Sequence, residues 1–178
     1  MGRDRAAWIV GGVAALLITS GCAKRAVLGF YNVAHREQFA ISDADLRDLQ
    51  FYISKDIIVH SQPAPGLPTE AVIIMRKGTP GIVVDAGPDW VTVRFSKGGT
   101  GVQFLADTSK PEDLYWFATE VEGKSGLYKL STLPRKILLH QGQRYLVVEG
   151  SDAYLLVDKK DLEKLIGSRR HIEGQELK

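Results

Sequence analysis

The chain has 178 residues, 23 basic and 21 acidic side chains, and a hydrophobic fraction of 44%. This near balance of charge gives no strong electrostatic reason to bind nucleic acid, and the apolar fraction excludes wholesale disorder. One compact domain, or two very small ones, fits the length, and a single cysteine means that the fold forms without an internal disulfide.

The N-terminal residues have the order of a secretory signal. Arg3 and Arg5 precede an apolar run over residues 6–18, and three small residues, Thr19-Ser20-Gly21, then precede Cys22. Basic charge, an apolar core and small residues in this order are typical of an exported precursor. The run is shorter than the roughly 20 apolar residues that a membrane-spanning helix needs.

This segment resembles the lipobox of bacterial lipoprotein precursors. The resemblance covers residues 1–22 only, and it departs from the commonest pattern at Thr19, where leucine is usual. It implies that residues 1–21 are removed by cleavage between Gly21 and Cys22. It also implies that Cys22 then carries a diacylglycerol thioether and an N-acyl group. An uncleaved anchor and a plain cleaved signal with a free cysteine remain the alternatives.

The same resemblance implies a location. In members from bacteria with two membranes, aspartate after the cysteine favours retention in the inner membrane, whereas position 23 here is Ala23. The expected location is therefore the cell envelope, lipid-anchored in the outer membrane and facing the periplasm. Several acyl chains together give effectively permanent anchoring.

Residues 22–40 are predicted to be a tether that leads into the domain. Its apolar residues, among them Phe30 and Val33, are too numerous for a flexible leash, so part of the segment should pack on the domain or lie along the bilayer. Ser42 then has the character of a helix N-cap, with Asp45 three residues later. With Leu46 and Leu49 on one face, the pattern predicts a helix of about 8 to 10 residues.

Short strands with period-two alternation occupy most of residues 41–166, the predicted β-rich domain. Val91, Val93 and Phe95 alternate with polar residues, as in an antiparallel strand with one buried face. The expected fold is α+β and mainly antiparallel β. It would be a small bent sheet or one or more SH3-like barrels, with a short N-terminal helix and a short C-terminal helix. The resemblance to SH3-like barrels covers residues 70–105 and implies no activity.

Two similar stretches, residues 70–96 and 134–158, raise the possibility of an internal duplication, although any meander with short turns has this pattern. After them, Asp158 is predicted to cap a closing helix over Lys159 to Ile166, which Gly167 would end. Residues 167–178 are predicted to be a polar tail.

Two motifs for ligand chemistry are unconvincing. Residues 118–125 match a permissive phosphate-loop spacing, but a strand is expected after them, so they are interpreted as a hairpin turn. The four histidines, His35, His60, His140 and His171, lie far apart without metal-binding spacing. No metal site and no cofactor are expected.

The aromatic residues are the remaining candidates for binding. Trp116 should face away from Tyr115 and Phe117 because neighbours in a strand alternate in direction. The leading hypothesis is a non-enzymatic structural or binding module, for example an accessory subunit of an envelope assembly. Its partners would be the membrane, other envelope proteins or cell-wall polymer. The alternative is a small-ligand or glycan binder with an aromatic groove at Trp90 or Trp116, and a third hypothesis is a hydrolase assembled from distant residues.

Overall fold

A computed structural model describes residues 26–61 and 72–175. Within these ranges the chain forms strands and helices in this order: β1 (Leu28–Phe30), α1 (Val33–Gln38), α2 (Asp43–Arg47), β2 (Gln50–Ile53), β3 (Ile57–Ser61), β4 (Val72–Met75), β5 (Pro80–Ala86), β6 (Trp90–Arg94), β7 (Val102–Leu105), β8 (Trp116–Glu120), β9 (Leu127–Lys129), a 3-10 turn (Leu130–Thr132), β10 (Ile137–His140), β11 (Gln143–Glu149), β12 (Leu155–Asp158) and α3 (Lys159–Gln175).

The strands form two open antiparallel sheets. The larger has eight strands in the order β1-β12-β2-β5-β6-β7-β8-β9, and the smaller has the order β10-β11-β3-β4. The predicted class, α+β and mainly antiparallel β, is confirmed. Of the two architectures expected from the sequence, the bent sheet describes these ladders, because both sheets are open.

The larger sheet bends far enough for residues 115–117, around the start of β8, to meet residues 153–155, around the start of β12. The Phe117 amide donates to the Ala153 carbonyl at 2.8 Å, and the Leu155 amide donates to the Tyr115 carbonyl at 3.0 Å. An isolated antiparallel bridge between Trp116 and Tyr154 lies between these bonds. The curvature therefore brings side chains from distant strands onto one outer surface.

The chain passes between the two sheets at neighbouring points. Residues 54–56 join β2 to β3, and residues 150–154 join β11 to β12. The Ser54 amide donates to the Tyr154 carbonyl at 3.1 Å, and the Ser54 hydroxyl accepts from the Tyr154 amide at 2.9 Å. Ser54 is buried, so these bonds satisfy its polar groups where the two connections cross.

One hydrophobic core serves both sheets. It includes Phe104 and Phe117 from the larger sheet and Val59 and Val147 from the smaller. Val91 and Val93 are fully buried while their neighbours in β6 are partly exposed, so the predicted alternation in this strand is confirmed.

The folded domain begins before residue 41. Tyr31 and Val33 are buried in the core, and β1 pairs with β12. The Asn32 side chain caps α1 by accepting from the His35 amide at 3.0 Å. The prediction that part of the segment 22–40 packs on the domain is confirmed, whereas a tether reaching to residue 40 is too long.

The predicted N-cap at Ser42 is confirmed. Its hydroxyl accepts from the Asp45 amide, and the Asp45 carboxylate accepts from the Ser42 amide at 2.7 Å, which completes a capping box. The helix has five residues rather than 8 to 10, because Gln50 starts β2. Pairing with β5 and β12 outweighs the helical spacing of the apolar residues.

The closing helix is longer than predicted. The Asp158 carboxylate caps it by accepting from the Lys160 amide at 2.9 Å, and Leu162 is buried against the core, as expected. The helix nevertheless continues through Gly167 to Gln175, so Gly167 does not end it and residues 167–175 of the predicted polar tail belong to the helix. A glycine inside a helix costs about 1 kcal/mol relative to alanine, which is too little to end a helix of this length.

The two stretches proposed as a duplication pair their strands differently. In residues 70–96, β5 pairs with β6, whereas β4 pairs with β3. In residues 134–158, β10 pairs with β11, and β12 pairs with β2 in the other sheet. The similarity of the two stretches therefore does not extend to their strand pairing.

Among the described residues, no helix combines the length and apolarity needed to cross a membrane. The predicted signal, with Gly21 and Cys22, lies outside the described residues.

Candidate functional site

The two candidate tryptophans lie in one row on the outer face of the larger sheet. Trp90 on β6 is directly opposite Leu105 on β7, which is opposite Trp116 on β8. Directly opposed residues in an antiparallel ladder share a face. Both tryptophans are half-buried, whereas Tyr115 and Phe117 are fully buried, so the predicted direction of Trp116 is confirmed.

A groove of about 700 Å³ opens beside Trp90. Its apolar surface includes Trp90, Leu105 and Leu127, from β6, β7 and β9. Charged side chains also line it: Asp89, Asp107, Glu120, Lys124 and Lys129. Trp116 is not one of the lining residues, so the structure brings only one of the two tryptophans to the groove.

Asp113 connects the groove to Trp116. Its carboxylate accepts from the Trp116 indole N–H at 3.0 Å, from the Asp107 amide at 2.6 Å and from the Lys129 ammonium group. Burial raises the pKa of Asp113, but the hydrogen bonds from Lys129, the Asp107 amide and Trp116 together hold it below its ordinary value. Asp113 is therefore ionised at neutral pH and fixes the indole ring.

Asp107 is one of the carboxylates that line the groove. Its carboxylate accepts from the Ser109 hydroxyl at 2.6 Å and pairs with Lys110 at 3.0 Å. The Ser109 hydroxyl and the Lys110 ammonium group hold the pKa of Asp107 at about 2. An ionised carboxylate beside a half-buried indole ring can accept hydrogen bonds from a polar ligand while the ring covers its apolar side.

The histidines do not converge on this groove. His35 lies in α1 and stacks on Tyr31, with ring centroids 6.2 Å apart. His60 lies in β3, His140 ends β10, and His171 lies in α3. Within the described ranges, no group of three or more potential metal-binding side chains comes together.

Residues 118–125 form the end of β8 and the turn into β9. The interpretation as a hairpin turn is confirmed, because β8 and β9 pair antiparallel and no helix follows the turn.

The smaller sheet has an outer face that is also apolar. Ile58 lies opposite Ile74, and Leu146 lies opposite both Ile137 and His60. Ile74, Leu146 and the neighbouring Val148 are 47, 42 and 58% exposed. We name this surface the apolar face: Ile58, Ile74, Ile137, Leu146 and Val148.

Sequence reasoning missed the apolar face, although a signal for it was present. Ile57-Ile58-Val59, Ile137-Leu138-Leu139 and Leu146-Val147-Val148 are continuous apolar runs. A strand with one wet face alternates apolar and polar residues, whereas a continuous run indicates two apolar faces. The role of Asp113 had no such signal, because its partners come from separate elements.

Comparison of the chain with protein-family models, curated proteins and solved structures found no match.

Proposed function

We propose that this chain is a lipoprotein of the bacterial cell envelope, anchored through Cys22 in the outer membrane and facing the periplasm. Its folded domain would be a non-enzymatic binding module, for example an accessory subunit of an envelope assembly. The anchor is supported by the basic start, the apolar run and the small residues before Cys22.

The single observation that carries the binding role is the apolar face. Leu146 and Val148 on β11 and Ile74 on β4 are exposed large aliphatic side chains on strands of one sheet. Exposed apolar side chains on the strands of one sheet favour a contact with another protein, since leaving them in water costs about 25 cal/mol per Å².

Site-specific crosslinking tests this role in cells. A photoreactive residue at Leu146 should give a discrete crosslinked product in the membrane fraction. The same residue at Lys97, an exposed polar position in the larger sheet's β6–β7 connection, should give none. Equal products from both positions, or none from Leu146, would remove the support for a protein partner.

The anchor has its own test. The intact mass of the membrane-extracted protein should correspond to residues 22–178 plus three acyl groups and glycerol. Cys22→Ser should leave the precursor uncleaved and unacylated. If the serine variant is processed normally and stays equally firmly in the membrane, the assignment of Cys22 as a lipid site is wrong.

A second candidate function is binding of a glycan or another small polar ligand in the groove. The observation that favours it is the half-buried Trp90 ring beside the ionised Asp107. Soluble cell-wall fragments should change Trp90 fluorescence, and Trp90→Ala should abolish their binding. Trp116→Ala, outside the groove, is the matched control, and equal effects of the two substitutions would argue against this site.

A further inference from the structure

Three aromatic side chains form a continuous strip on the outer surface near the start of the fold. Phe30 packs on Tyr154 with ring centroids 5.9 Å apart, and Tyr154 packs on Trp116 with centroids 5.2 Å apart. We name Phe30, Tyr154 and Trp116 the aromatic strip. Phe30 is 59% exposed and the other two are half-buried, so the strip faces outward.

The strip lies where the chain enters the domain from Cys22. Val27, which is 53% exposed, is five residues after Cys22 in the sequence. Even fully extended, that length of chain spans at most about 18 Å. A lipid on Cys22 would therefore hold Val27 and Phe30 close to the membrane surface.

We propose that the aromatic strip rests in the lipid headgroup layer and orients the anchored domain. This inference depends on the proposed lipid anchor. Tryptophan and tyrosine are enriched at membrane–water interfaces because their rings are apolar and their edges carry a hydrogen-bonding group. Tyr154 has these properties. The Trp116 N–H already donates to Asp113, so Trp116, like Phe30, adds apolar ring area beside Tyr154.

Two basic residues precede the fold in the sequence, and two acidic groups beside the strip are paired with lysines. Lys24 and Arg25 lie between Cys22 and the described fold, and basic residues beside an anchor are attracted to anionic headgroups. The carboxylate beside Trp116, that of Asp113, is paired with Lys129. Near Tyr154, Asp152 is paired with Lys55, so neither acidic group presents an uncompensated charge to the lipid.

Trp90 provides an internal control for the orientation. It is two strands away from Trp116, about 10 Å across the ladder, and it lines the charged groove. A groove with carboxylates and ammonium groups along it remains in water. The proposal therefore predicts that Trp116 contacts lipid and that Trp90 does not. These are the two tryptophans of the cleaved chain, because the third, Trp8, lies in the proposed signal.

Fluorescence quenching in vesicles tests this separation. The acylated protein, first verified by intact mass, is reconstituted in phosphatidylethanolamine and phosphatidylglycerol vesicles with or without bromine on the acyl chains. Trp90→Phe leaves Trp116 as the reporter, and Trp116→Phe leaves Trp90. Emission from Trp116 should be weaker in brominated vesicles than in unbrominated ones, and its maximum should shift to the blue in both kinds of vesicle. Emission from Trp90 should be unchanged.

A pair of surface variants tests the strip itself in the Trp90→Phe background. Phe30→Ser should reduce the quenching of Trp116, whereas Ile82→Ser, at an exposed apolar residue of β5, should leave it unchanged. Both side chains are exposed, so neither change removes a core contact.

The failures are distinguishable. No acyl mass on Cys22 would overturn the anchor, and the docking inference with it. An acylated protein in which Trp116 is not quenched, or in which Trp90 is quenched equally, would overturn the docking inference alone.

Discussion

A substitution at Gly150 tests the close approach of the two connections between the sheets, residues 54–56 and 150–154. Its φ is +78°, a left-handed conformation that costs an L-residue about 1–2 kcal/mol. A Cβ there would lie 2.1 Å from the Asp56 carbonyl oxygen and 2.9 Å from the Ile57 Cα. Because both are backbone atoms, the segments around residues 56 and 150 must move apart, and overpacking of this kind costs about 1–3 kcal/mol. Gly150→Ala should therefore lower the free energy of unfolding by about 2–5 kcal/mol.

Gly142 is the matched control. Its φ is +72°, but no atom lies within 4 Å of a Cβ built there. Gly142→Ala should therefore cost only the conformational part, about 1–2 kcal/mol. Both losses can be measured by urea unfolding of residues 23–178 followed by tryptophan fluorescence, with slope and midpoint fitted together. If the two variants lose the same free energy, the close approach at Asp56 does not contribute and the reasoning is refuted.

Three further predictions concern single positions. Tyr31 has a buried hydroxyl without a hydrogen-bond partner in the described structure, so Tyr31→Phe should leave the free energy of unfolding unchanged or raise it by about 1 kcal/mol; a clear loss in urea unfolding would reveal a partner. Gly167→Ala should raise the free energy of unfolding by up to about 1 kcal/mol because the helix continues through it; a decrease would mean that this glycine ends the helix. The lowered folded pKa of Asp113 makes its stabilising contribution complete above its ordinary value of 3.8, and acid removes that contribution as the pH falls through the lower value. Asp113→Asn should therefore make the loss of stability between pH 5 and 2 less steep, measured by urea midpoints across that range, and an unchanged slope would contradict this role.

Local physical chemistry was sufficient for many elements. Ser42 and Asp158 were predictable as caps because a side-chain oxygen on the residue just before a helix accepts from the free amides of its first turn. The alternation in β6 was predictable because successive side chains of a strand point to opposite faces. The hairpin between β8 and β9 followed from the same local signals.

Predictions that depended on distant pairing were less accurate. The short α2 ends early because Gln50 joins a strand whose partners, β5 and β12, are remote in sequence. The donors to Asp113 are the Trp116 indole in β8, the Lys129 ammonium group in β9 and the Asp107 backbone amide in the loop before β8, and no spacing rule places them together. The apolar runs indicated strands with two apolar faces, but the ladder order determined which of those faces is exposed.

The sequence alone determined the class of fold, most strand positions and the expectation of a lipid anchor, because these depend on residues close together along the chain. Only the tertiary structure decided that Trp90 lines a groove, that Trp116 joins Phe30 and Tyr154, and that Ile74, Leu146 and Val148 are exposed. The physical reason is that these arrangements depend on strand pairing between remote segments. The ladder order exposes one face of the smaller sheet, and the bend of the larger sheet brings Trp116 to Tyr154 through backbone hydrogen bonds that do not depend on side-chain identity.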